Sequence, residues 1–405
     1  MTDQLKTIAV FFGGMSVEHD VSILTGLQLI EALDPDLYSP LPVYVAADGR
    51  WFTGDALLKR SFYPLTPAKE KQLKAVTLDV GGANGGALSH RTSGLFSKTE
   101  TIAFDMAVPA IHGTGGEDGA LQGLLSFLNI PYSGCSVLAA SATMDKEFTK
   151  KSLARVGVNV LPNALLKRPA RGTHVSLESL AETVKRELPG YGYPYFVKPR
   201  RLGSSVGVAR ANNPEELLAG VLTAFRLDGH VMIEPFVPNL VEYNIAISKS
   251  FGELRTSAIE RPMRDSEFLD FKNKYLAGGG GGAKKLDTTP SEGMVSLNRT
   301  LDPEELTDGQ EKQIRESAEA AFKTLGLAGS VRIDFLCDET TGELWLNEIN
   351  TIPGSFAYYL WQGAKPAASY SALATAMIEE GLSAHRVNQG DTSATAGKST
   401  IFGRD

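Results

Sequence analysis

The chain has 405 residues, of which 42% are hydrophobic and 21% charged, a composition typical of a folded protein with roughly two to four domains. Its 40 basic and 47 acidic residues give a net charge of −7. This balance argues against nucleic acid or an anionic membrane as the main partner, because both need clustered Lys and Arg. Cys135 and Cys337 are the only cysteines, so a reducing, cytoplasmic compartment is predicted rather than a disulfide framework. The apolar run 8–12 is too short for a signal-peptide core or a membrane span.

Short apolar runs and helical patterns alternate through the first third of the chain. Residues 7–12 predict a buried strand, Gly13 and Gly14 a turn, and 21–33 a helix with apolar residues at helical spacing. Further predicted elements are strands at 41–45 and 103–110 and a helix at 121–128. Residues 81–86, together with the Ser/Thr-rich run after them, predict an exposed loop. This rhythm is typical of a parallel α/β sheet.

The rest of the chain carries more loops between its predicted elements. These elements are a helix beginning near Asp145, strands at 195–198 and 231–234, a glycine-rich loop at 203–207 with a strand after it, and a five-glycine mobile loop at 278–282. Asp302 and Pro303 predict the start of a helix that runs to about Gly326. Residues 386–405 are polar and predict a disordered tail.

The segment 331–354, VRIDFLCDETTGELWLNEINTIPG, combines a cation with oxygen ligands on two predicted strands joined by a turn. Arg332 and Asp334 are two residues apart, as are Glu348 and Asn350, and a strand directs residues i and i+2 to one face. Such ligands suit magnesium, which takes few protein carboxylates. Strand carboxylates more often lie on a solvated face. Here, however, an apolar stripe of Leu344 and Leu346 is expected to share the side of Glu348, which favours a metal or ion-pair site.

Three further segments have the residues of a nucleotide site. Lys198 precedes a loop whose Ser204, Ser205 and backbone N–H groups could wrap a phosphate chain, although such loops are as often plain turns. The run 233–237 together with Glu242 could hold an adenine between apolar walls while a carboxylate accepts from ribose. Polar residues at a strand end are the simpler reading.

The pair Lys274 and Tyr275, beside the glycine run, suits a lid over an anionic intermediate, or else is a surface lysine beside a half-buried tyrosine. Two loops after predicted strands could also face a cleft. Glu18 could bind a substrate ammonium, and His112 lies among glycines, although a lone histidine is more often structural.

Together these segments resemble the D-alanine:D-alanine ligases of the ATP-grasp superfamily, from residue 8 to about 382. The matching motifs, in chain order, are FFGGMSVEHDVS, AIHGTGGEDGALQGLL, MDKEFTK, FVKPRRLGSSVG, IEPF with VEYN, FKNKYL, VRIDF and NEINTIPG. The resemblance implies an α/β fold, with α+β organisation in the ATP-binding half. It implies an N-terminal parallel α/β substrate domain (1–134), a central ATP-grasp domain (135–232) and a C-terminal catalytic ATP-grasp domain (233–385) before the tail. A homodimer is the assembly that it implies.

The resemblance also implies a role for individual residues. In the nucleotide and metal site, Lys146 and Lys198 are matched to phosphate contacts, with Ser205 in the phosphate loop, and Lys274 is expected to offset the repulsion between the two anions. Glu234, Phe236, Val237 and Glu242 are matched to adenine and ribose, and Asp334, Glu348 and Asn350 to two Mg²⁺ ions, for which Mn²⁺ could substitute. In the reaction, Arg332 and the Gly354 N–H are matched to an oxyanion site, and His112 to the first substrate's carboxylate. Glu18, Ser204 and Tyr275 are matched to a trio that joins the N-terminal domain, the phosphate loop and the lid.

The implied activity is the ATP-dependent joining of two D-alanines through an acyl phosphate, for peptidoglycan precursors. Two departures from the family pattern stand out. Tyr359, followed by Leu360, occupies the position of a serine that binds the second substrate's carboxylate, and the lid segment 276–299 is long and glycine-rich. A paralogue that couples another amino acid or amine is therefore the alternative. An ATP-binding regulator without catalysis is a third hypothesis, which the intact catalytic residues disfavour.

Overall fold

The structure is a computed structural model that describes residues 5–80, 85–92, 97–203, 206–263 and 299–389. Three β-sheets with flanking helices organise this part of the chain. Predictions on Ser204, Ser205, Lys274 and Tyr275 lie outside the described residues, as do those on the lid before residue 299 and on the tail beyond 389. Within the described ranges, no helix is long and apolar enough to cross a bilayer.

The N-terminal sheet comprises strands β1 Lys6–Gly13, β2 Tyr38–Val45, β3 Trp51–Thr53, β4 Lys74–Leu78, β5 Gly86–Arg91, β6 Thr99–Phe104 and β7 Met106–Pro109. The helices of this region are α1 His19–Ala32, α2 Pro67–Glu70 and α3 Ala120–Phe127. The strand order is β6-β5-β4-β3-β2-β1-β7. The strand predicted at 7–12 and the helices predicted at 21–33 and 121–128 are therefore confirmed.

Only part of the N-terminal sheet is parallel in the described chain. β1 pairs in parallel with β2 and β7, as predicted, whereas β3 to β6 extend the sheet through antiparallel pairs that the pattern did not reveal. The single strand predicted at 103–110 was wrong, because Asp105 separates β6 from β7 and its carboxylate accepts from the Thr7 N–H at 2.6 Å. The exposed loop predicted from residue 81 was also wrong beyond residue 85, because 86–91 form β5 with Leu88 fully buried.

The central sheet comprises β8 Ala164–Lys167, β9 Tyr195–Pro199, β10 Ala209–Ala211 and β11 His230–Pro235, in the order β10-β9-β11-β8. The helices of this region are α4 Val137–Met144, α5 Lys146–Ala154, α6 Leu177–Glu187 and α7 Pro214–Ala224. The strands predicted at 195–198 and 231–234 and the helix near Asp145 are confirmed. The expected domain boundary between residues 232 and 233 falls inside β11, so the central sheet itself continues to Pro235.

The C-terminal sheet comprises β12 Leu240–Ser248, β13 Arg255–Pro262, β14 Arg299–Leu301, β15 Val331–Asp338 and β16 Leu344–Asn350, in the order β14-β13-β12-β15-β16. Neighbouring strands of this sheet all pair antiparallel, and β15 and β16 form the predicted hairpin. The helices that follow are α8 Asp308–Leu325, α9 Tyr358–Gln362 and α10 Tyr370–Gln389. The disordered tail predicted from residue 386 was wrong for residues 386–389, because α10 is helical through residue 389.

The start predicted for α8 was wrong. Asp302 has a left-handed φ of +45° and accepts the Ile259 N–H at 2.8 Å, so it stabilises a turn and does not cap a helix. Thr307 caps α8 instead, because its side chain accepts from the Gln310 N–H and the Gln310 side chain reaches back in a capping box. The predicted end at Gly326 is confirmed by its left-handed conformation.

The C-terminal segment returns to the N-terminal sheet and completes its core. One buried cluster joins Ile8 and Phe12 of β1 with Trp361 of α9 and Met377 of α10. A second buried cluster lies between the C-terminal sheet and helices α4, α5 and α8. These packings place the loops after β1, β7 and β16 close together, next to the N-terminal end of α5.

Candidate active site

A row of polar side chains crosses the C-terminal sheet. In the register, Glu348 of β16 pairs with Asp334, Asp334 with Asn244 of β12, and Asn244 with Glu260 of β13. Directly paired residues of antiparallel strands point to the same face. Arg332 pairs with Asn350 beside this row. The predicted convergence of Arg332, Asp334, Glu348 and Asn350 is therefore confirmed.

The apolar stripe that was expected to run into these residues lies on the opposite face. The register shifts between Asp334 and Phe335, so that Phe335 pairs with Leu346 and Asn347 is the extra residue of a bulge. Leu344 and Leu346 therefore face the buried core while Glu348 and Asn350 face the cleft. The expectation that Leu344 and Leu346 share the side of Glu348 was wrong, because a bulge reverses the alternation of a strand.

The side chains of the two strands are linked by hydrogen bonds. Arg332 donates to both oxygens of Asp334, from Nε at 2.7 Å and from Nη2 at 2.8 Å, and Asn350 Nδ2 donates to Asp334 Oδ2 at 3.0 Å. Lys146 Nζ lies 3.5 Å from Glu348 Oε2. Among the described residues no group of three or more His, Cys, Asp and Glu side chains could hold a metal. Two carboxylates and an amide on one face still fit magnesium, whose other ligands are phosphate oxygens and water.

Helix α5 supplies a cation, Lys146, at the edge of the cleft. Asp145 caps the helix by accepting the Phe148 N–H, and the same oxygen accepts from Arg200 Nε at 2.6 Å. Lys146, at the first helical position, donates from Nζ to the Leu202 carbonyl at 2.6 Å. This helix start is therefore tied to the loop that follows β9, where the phosphate-binding segment was predicted.

Lys198 and Glu234 form an ion pair on the central sheet, with Lys198 Nζ 2.6 Å from Glu234 Oε2. Lys150 of α5 binds the other oxygen of Glu234. Burial alone would raise the pKa of Glu234, but Lys150 and Lys198 hold it below its usual value. Lys198 also donates to Asn347 Oδ1 at 3.3 Å, which links the central sheet to the bulge of β16.

The other residues predicted for the nucleotide lie directly after β11 and on β12. Phe236 stacks on Phe196, with ring centroids 5.7 Å apart, and the Arg210 guanidinium lies 4.3 Å from the centre of the Phe236 ring. Val237 is buried beside them. Glu242 is two residues before Asn244 on β12 and shares its face.

His112 and Glu18 come from loops of the N-terminal region. His112 is buried, and its Nε2 lies 2.8 Å from Thr25 Oγ1. Burial and the nearby Arg332 lower the pKa of His112 to about 3, so the ring is neutral. Glu18 is buried against Gly113, whose φ is +70° and where an added Cβ would lie 2.5 Å from Glu18 Oε2. Only glycine fits at that position without moving the carboxylate.

Glu117 is a site residue that sequence reasoning missed. Its carboxylate accepts the Gly113 N–H at 2.8 Å and the Ile352 N–H at 3.0 Å, which joins the His112 loop to the loop after β16. Burial and the charge of Glu18 raise the pKa of Glu117 to about 8. The signal was present in the sequence as the acidic pair of GGEDG, directly after an apolar strand.

Some of these residues line a cleft that opens to solvent. The lining combines loops of the N-terminal region, the end of α4, the start of α5 and the end of β16: Glu18, Gly113, Glu117, Thr143, Met144, Lys146, Gly203, Glu348, Ile349, Asn350 and Thr351. The Thr351 hydroxyl is buried there and, within the described part of the chain, has no hydrogen-bond partner. Among these lining residues Lys146 is the cation, beside Glu348, and Glu18 and Glu117 add carboxylates from the N-terminal region.

The chain after Gly354 takes an unusual course. Ser355, Phe356 and Ala357 have left-handed φ values of 50°, 52° and 54°, and the Ser355 N–H donates to Thr25 Oγ1 at 3.1 Å. Residues held in this region cost energy and often occur at functional sites. Gly354, which precedes them, is buried next to α1.

Tyr359 and Leu360 lie in the following helix. The Tyr359 hydroxyl is 3.5 Å from Glu260 Oε2, and the Arg299 guanidinium lies 3.9 Å from the centre of its ring. Arg299 Nη1 is 3.2 Å from Glu260 Oε1, so the phenol belongs to a buried polar cluster at the end of the row described above. The Leu360 side chain is fully buried in the core, which leaves only its backbone for a contact with substrate.

Comparison with known proteins agrees with this architecture. Residues 7–135 match the family model described as D-ala D-ala ligase N-terminus, and residues 153–379 match the one described as D-ala D-ala ligase C-terminus. The chain is 32% identical to a D-alanine--D-alanine ligase of Thermosipho melanesiensis over 93% of its own length and 94% of the relative's. It is 33% identical to one from Chlorobium luteolum, over 86% and 88% of the two lengths.

Solved structures give the same result. The D-alanine-D-alanine ligase of Coxiella burnetii superposes with a TM-score of 0.75 at 25% identity, over 97% of this chain and 99% of that one. The VanG D-Ala:D-Ser ligase of Enterococcus faecalis superposes with a TM-score of 0.71 at 25% identity, over 93% and 99%.

The fold and the site define an ATP-grasp enzyme, a ligase that uses ATP and a divalent metal. Within that class, the chain belongs to the D-alanine–D-alanine ligase family. The resemblance read from the motifs is thereby confirmed.

Proposed function

We propose that this protein joins two D-alanines in an ATP-dependent reaction that supplies peptidoglycan precursors. The observation that carries the proposal is the convergence of Arg332, Asp334, Glu348 and Asn350 on one face of the C-terminal sheet, opposite Lys146. The names of the relatives are consistent with this reaction.

The first step requires two anions to meet. An amide cannot form from a free carboxylate without a better leaving group, so the γ-phosphoryl of ATP is transferred to the carboxylate of the first D-alanine. Lys146 and Lys198 reduce the repulsion between the anions by contacting the phosphates, and Lys274 adds a third cation. Asp334, Glu348 and Asn350 would hold two Mg²⁺ ions, or Mn²⁺, which when bound neutralise charge on the phosphates.

The second step forms the amide bond. The free amine of the second D-alanine attacks the acyl phosphate, and phosphate leaves as the C–O bond breaks. Arg332 and the Gly354 N–H stabilise the oxyanion, a role in which loss of one donor typically costs ~100 to 1,000-fold in rate. The two hydrogen bonds from Arg332 to Asp334 support this assignment, because they fix the guanidinium.

The N-terminal loops bind the first substrate in this proposal. His112 is neutral and can contact the substrate carboxylate without adding charge. Glu18 binds the ammonium and forms a trio with Ser204 and Tyr275. Glu234, Phe236, Val237 and Glu242 hold the adenine and ribose, with Ser205 at the phosphates.

A second candidate function is favoured by the Tyr359 cluster. Because the phenol contacts Glu260 and is covered by Arg299, the pocket around it differs from one with a serine there. The second substrate in this alternative is another amino acid or amine, with the same acyl-phosphate chemistry.

One experiment separates these functions. Phosphate release is measured with ATP, magnesium and D-alanine as the only amino acid, and the product is identified by mass spectrometry. Phosphate matched by D-alanyl-D-alanine supports the first function. Turnover only after a second amino acid or amine is added supports the alternative, and no ADP release with any amino acid would contradict both and revive a regulatory role.

The proposal includes a three-domain organisation, a cytoplasmic location and a homodimer. The three sheets support the domains, with the central one ending after Pro235. Exposed apolar side chains on adjoining helices support the dimer. On α3 and α4 these are Leu124, Phe127, Val137 and Leu138, with Phe127 84% exposed. A patch of this kind commonly marks an interface.

A further inference from the structure

Lys150 is a buried lysine outside the residues matched to substrates. It lies on α5, one helical turn after Lys146, and its side chain is 2% exposed. Its Nζ binds Glu234 Oε1 and donates to the Leu161 carbonyl at 3.2 Å. A lysine this deeply buried loses its hydration, and the interactions with Glu234 and the carbonyl offset that loss.

The charge balance around Glu234 explains why a second lysine is present. Glu234 is 4% exposed at its side chain and contacts both Lys150 and Lys198. Lys198 is divided between Glu234 and Asn347, and the proposed function gives it a contact with the phosphates of ATP. When Lys198 contacts a phosphate, its bond to Glu234 weakens. A buried carboxylate with no cation would take up a proton or turn away.

We propose that Lys150 is a positioning residue for ATP: it keeps Glu234 ionised and oriented while Lys198 is engaged by the nucleotide's phosphates. This inference rests on the proposed function, because it assumes that Glu234 contacts the nucleotide. Lys150 stays bound to Glu234, while Lys198 can exchange Glu234 for a phosphate of the nucleotide.

The charged groups around Lys150 are Glu234 on β11, Lys198 on β9 and Glu147 on its own helix. Burial lowers the pKa of Lys150 to about 8, an effect that Glu234 opposes. Above that pH the lysine loses its proton and Glu234 loses a charged partner. Apparent affinity for ATP should therefore fall as the pH rises above about 8, and an arginine in place of Lys150 should move this fall to higher pH.

The test compares Lys150→Met and Lys150→Arg with a control, Lys151→Met. The side chain of Lys151, the neighbouring lysine, is 70% exposed. Direct titration with ATP and magnesium gives nucleotide affinity, and steady-state kinetics give KM for ATP and for D-alanine. Lys150→Met should weaken ATP binding at least about tenfold, the usual effect of losing a charge-assisted hydrogen bond, while KM for D-alanine stays unchanged. Lys151→Met should bind ATP like the wild type, and Lys150→Arg should recover most of the affinity.

A double-mutant comparison tests the route of the effect. If Lys150 acts through Glu234, Glu234→Gln and the double variant Lys150→Met/Glu234→Gln should bind ATP equally weakly. Additive losses would overturn the inference, as would normal ATP affinity in a Lys150→Met protein with an unchanged melting temperature. Lys198 remains beside Glu234 in Lys150→Met, so the fold should persist. If the wild type itself fails to bind ATP, the proposed function fails instead.

Discussion

At the scale of single residues, the site balances buried charges in pairs. Asp334 is shared by Arg332 and Asn350, and Glu348 faces Lys146. Each of these two carboxylates keeps a cation within reach, because an isolated buried charge would be strongly unfavourable. The same carboxylates can therefore turn towards a metal without first being desolvated.

Replacing Glu348 by Gln should reduce ATP-dependent turnover at least about 100-fold, because the change removes an anionic ligand at a site where charge develops. The melting temperature should change little, since Glu348 is only partly buried. Phosphate release is the measurement. Glu343→Gln, at an exposed position in the same hairpin, should remain fully active. Near-normal activity of Glu348→Gln would contradict the metal assignment.

His112 should make the stability of the fold depend on pH. Its pKa is about 3 in the folded protein and about 6.5 when unfolded. Between pH 3 and pH 6.5, His112 is therefore protonated in the unfolded chain and neutral in the folded protein. Stability from this group is present above about pH 6.5 and is lost as the pH falls towards 3. Between pH 7 and pH 5 the loss should be about 2 kcal/mol.

Urea unfolding at both pH values measures this effect. From pH 7 to pH 5, the free energy of unfolding of His112→Gln should decrease by about 2 kcal/mol less than that of the wild type, since glutamine does not titrate. His174→Gln, at an exposed position, serves as the control and should follow the wild type. Parallel pH dependences of His112→Gln and wild type would show that His112 accepts a proton in the folded state.

At the scale of elements, helix ends and strand irregularities position the site. The capped start of α5 holds Lys146 against the cleft, and the bulge at Asn347 turns Glu348 and Asn350 to the opposite face from Leu346. The left-handed turn at 355–357 then carries the chain from β16 into α9. Each of these features depends on local backbone conformation rather than on hydrophobic pattern alone.

Helix α8 offers a direct test of one such conformation. Gly326 ends the helix with a φ of +62°, and an added Cβ there would contact nothing, so Gly326→Ala isolates the backbone cost. We expect a loss of about 1–2 kcal/mol of stability in chemical denaturation. Gly309→Ala lies at the start of the same helix, also in open space, and should be neutral or stabilising by up to about 1 kcal/mol. Equal effects of the two substitutions would contradict the left-handed cap.

At the scale of the whole molecule, the cleft exists because distant parts of the chain pack together. Glu117 and Thr25 of the N-terminal region accept N–H groups of Ile352 and Ser355, and α10 packs on the core of the N-terminal sheet. The catalytic face is thereby fixed against the loops proposed to bind the first substrate.

The apolar patch on α3 and α4 predicts a dimer in solution. Light scattering after size exclusion should give about twice the chain mass of 43.4 kDa for the wild type. Phe127→Glu should halve that mass, because a charge in an apolar interface is not compensated. Val387→Glu, at a 77% exposed position on α10, should remain dimeric. A monomeric wild type, or a dimeric Phe127→Glu, would contradict the predicted interface.

Much of the fold follows from local patterns that the sequence carries. The strand at β1, the helix after it, the hairpin of β15 and β16 and the cap at Gly326 follow from apolar periodicity and from turn residues. The order of the motifs was sufficient to identify the family. The spacing of Arg332 with Asp334, and of Glu348 with Asn350, was sufficient to predict that they converge.

Tertiary structure alone decided the remaining features, because they depend on how separate elements pair and pack. The antiparallel half of the N-terminal sheet and the break at Asp105 reflect pairings that a single strand does not encode. The bulge at Asn347 follows from the register between two strands. The contacts of Glu117 with Ile352 and of Lys150 with Glu234 depend on packing between distant parts of the chain, and those contacts define what each buried charge does.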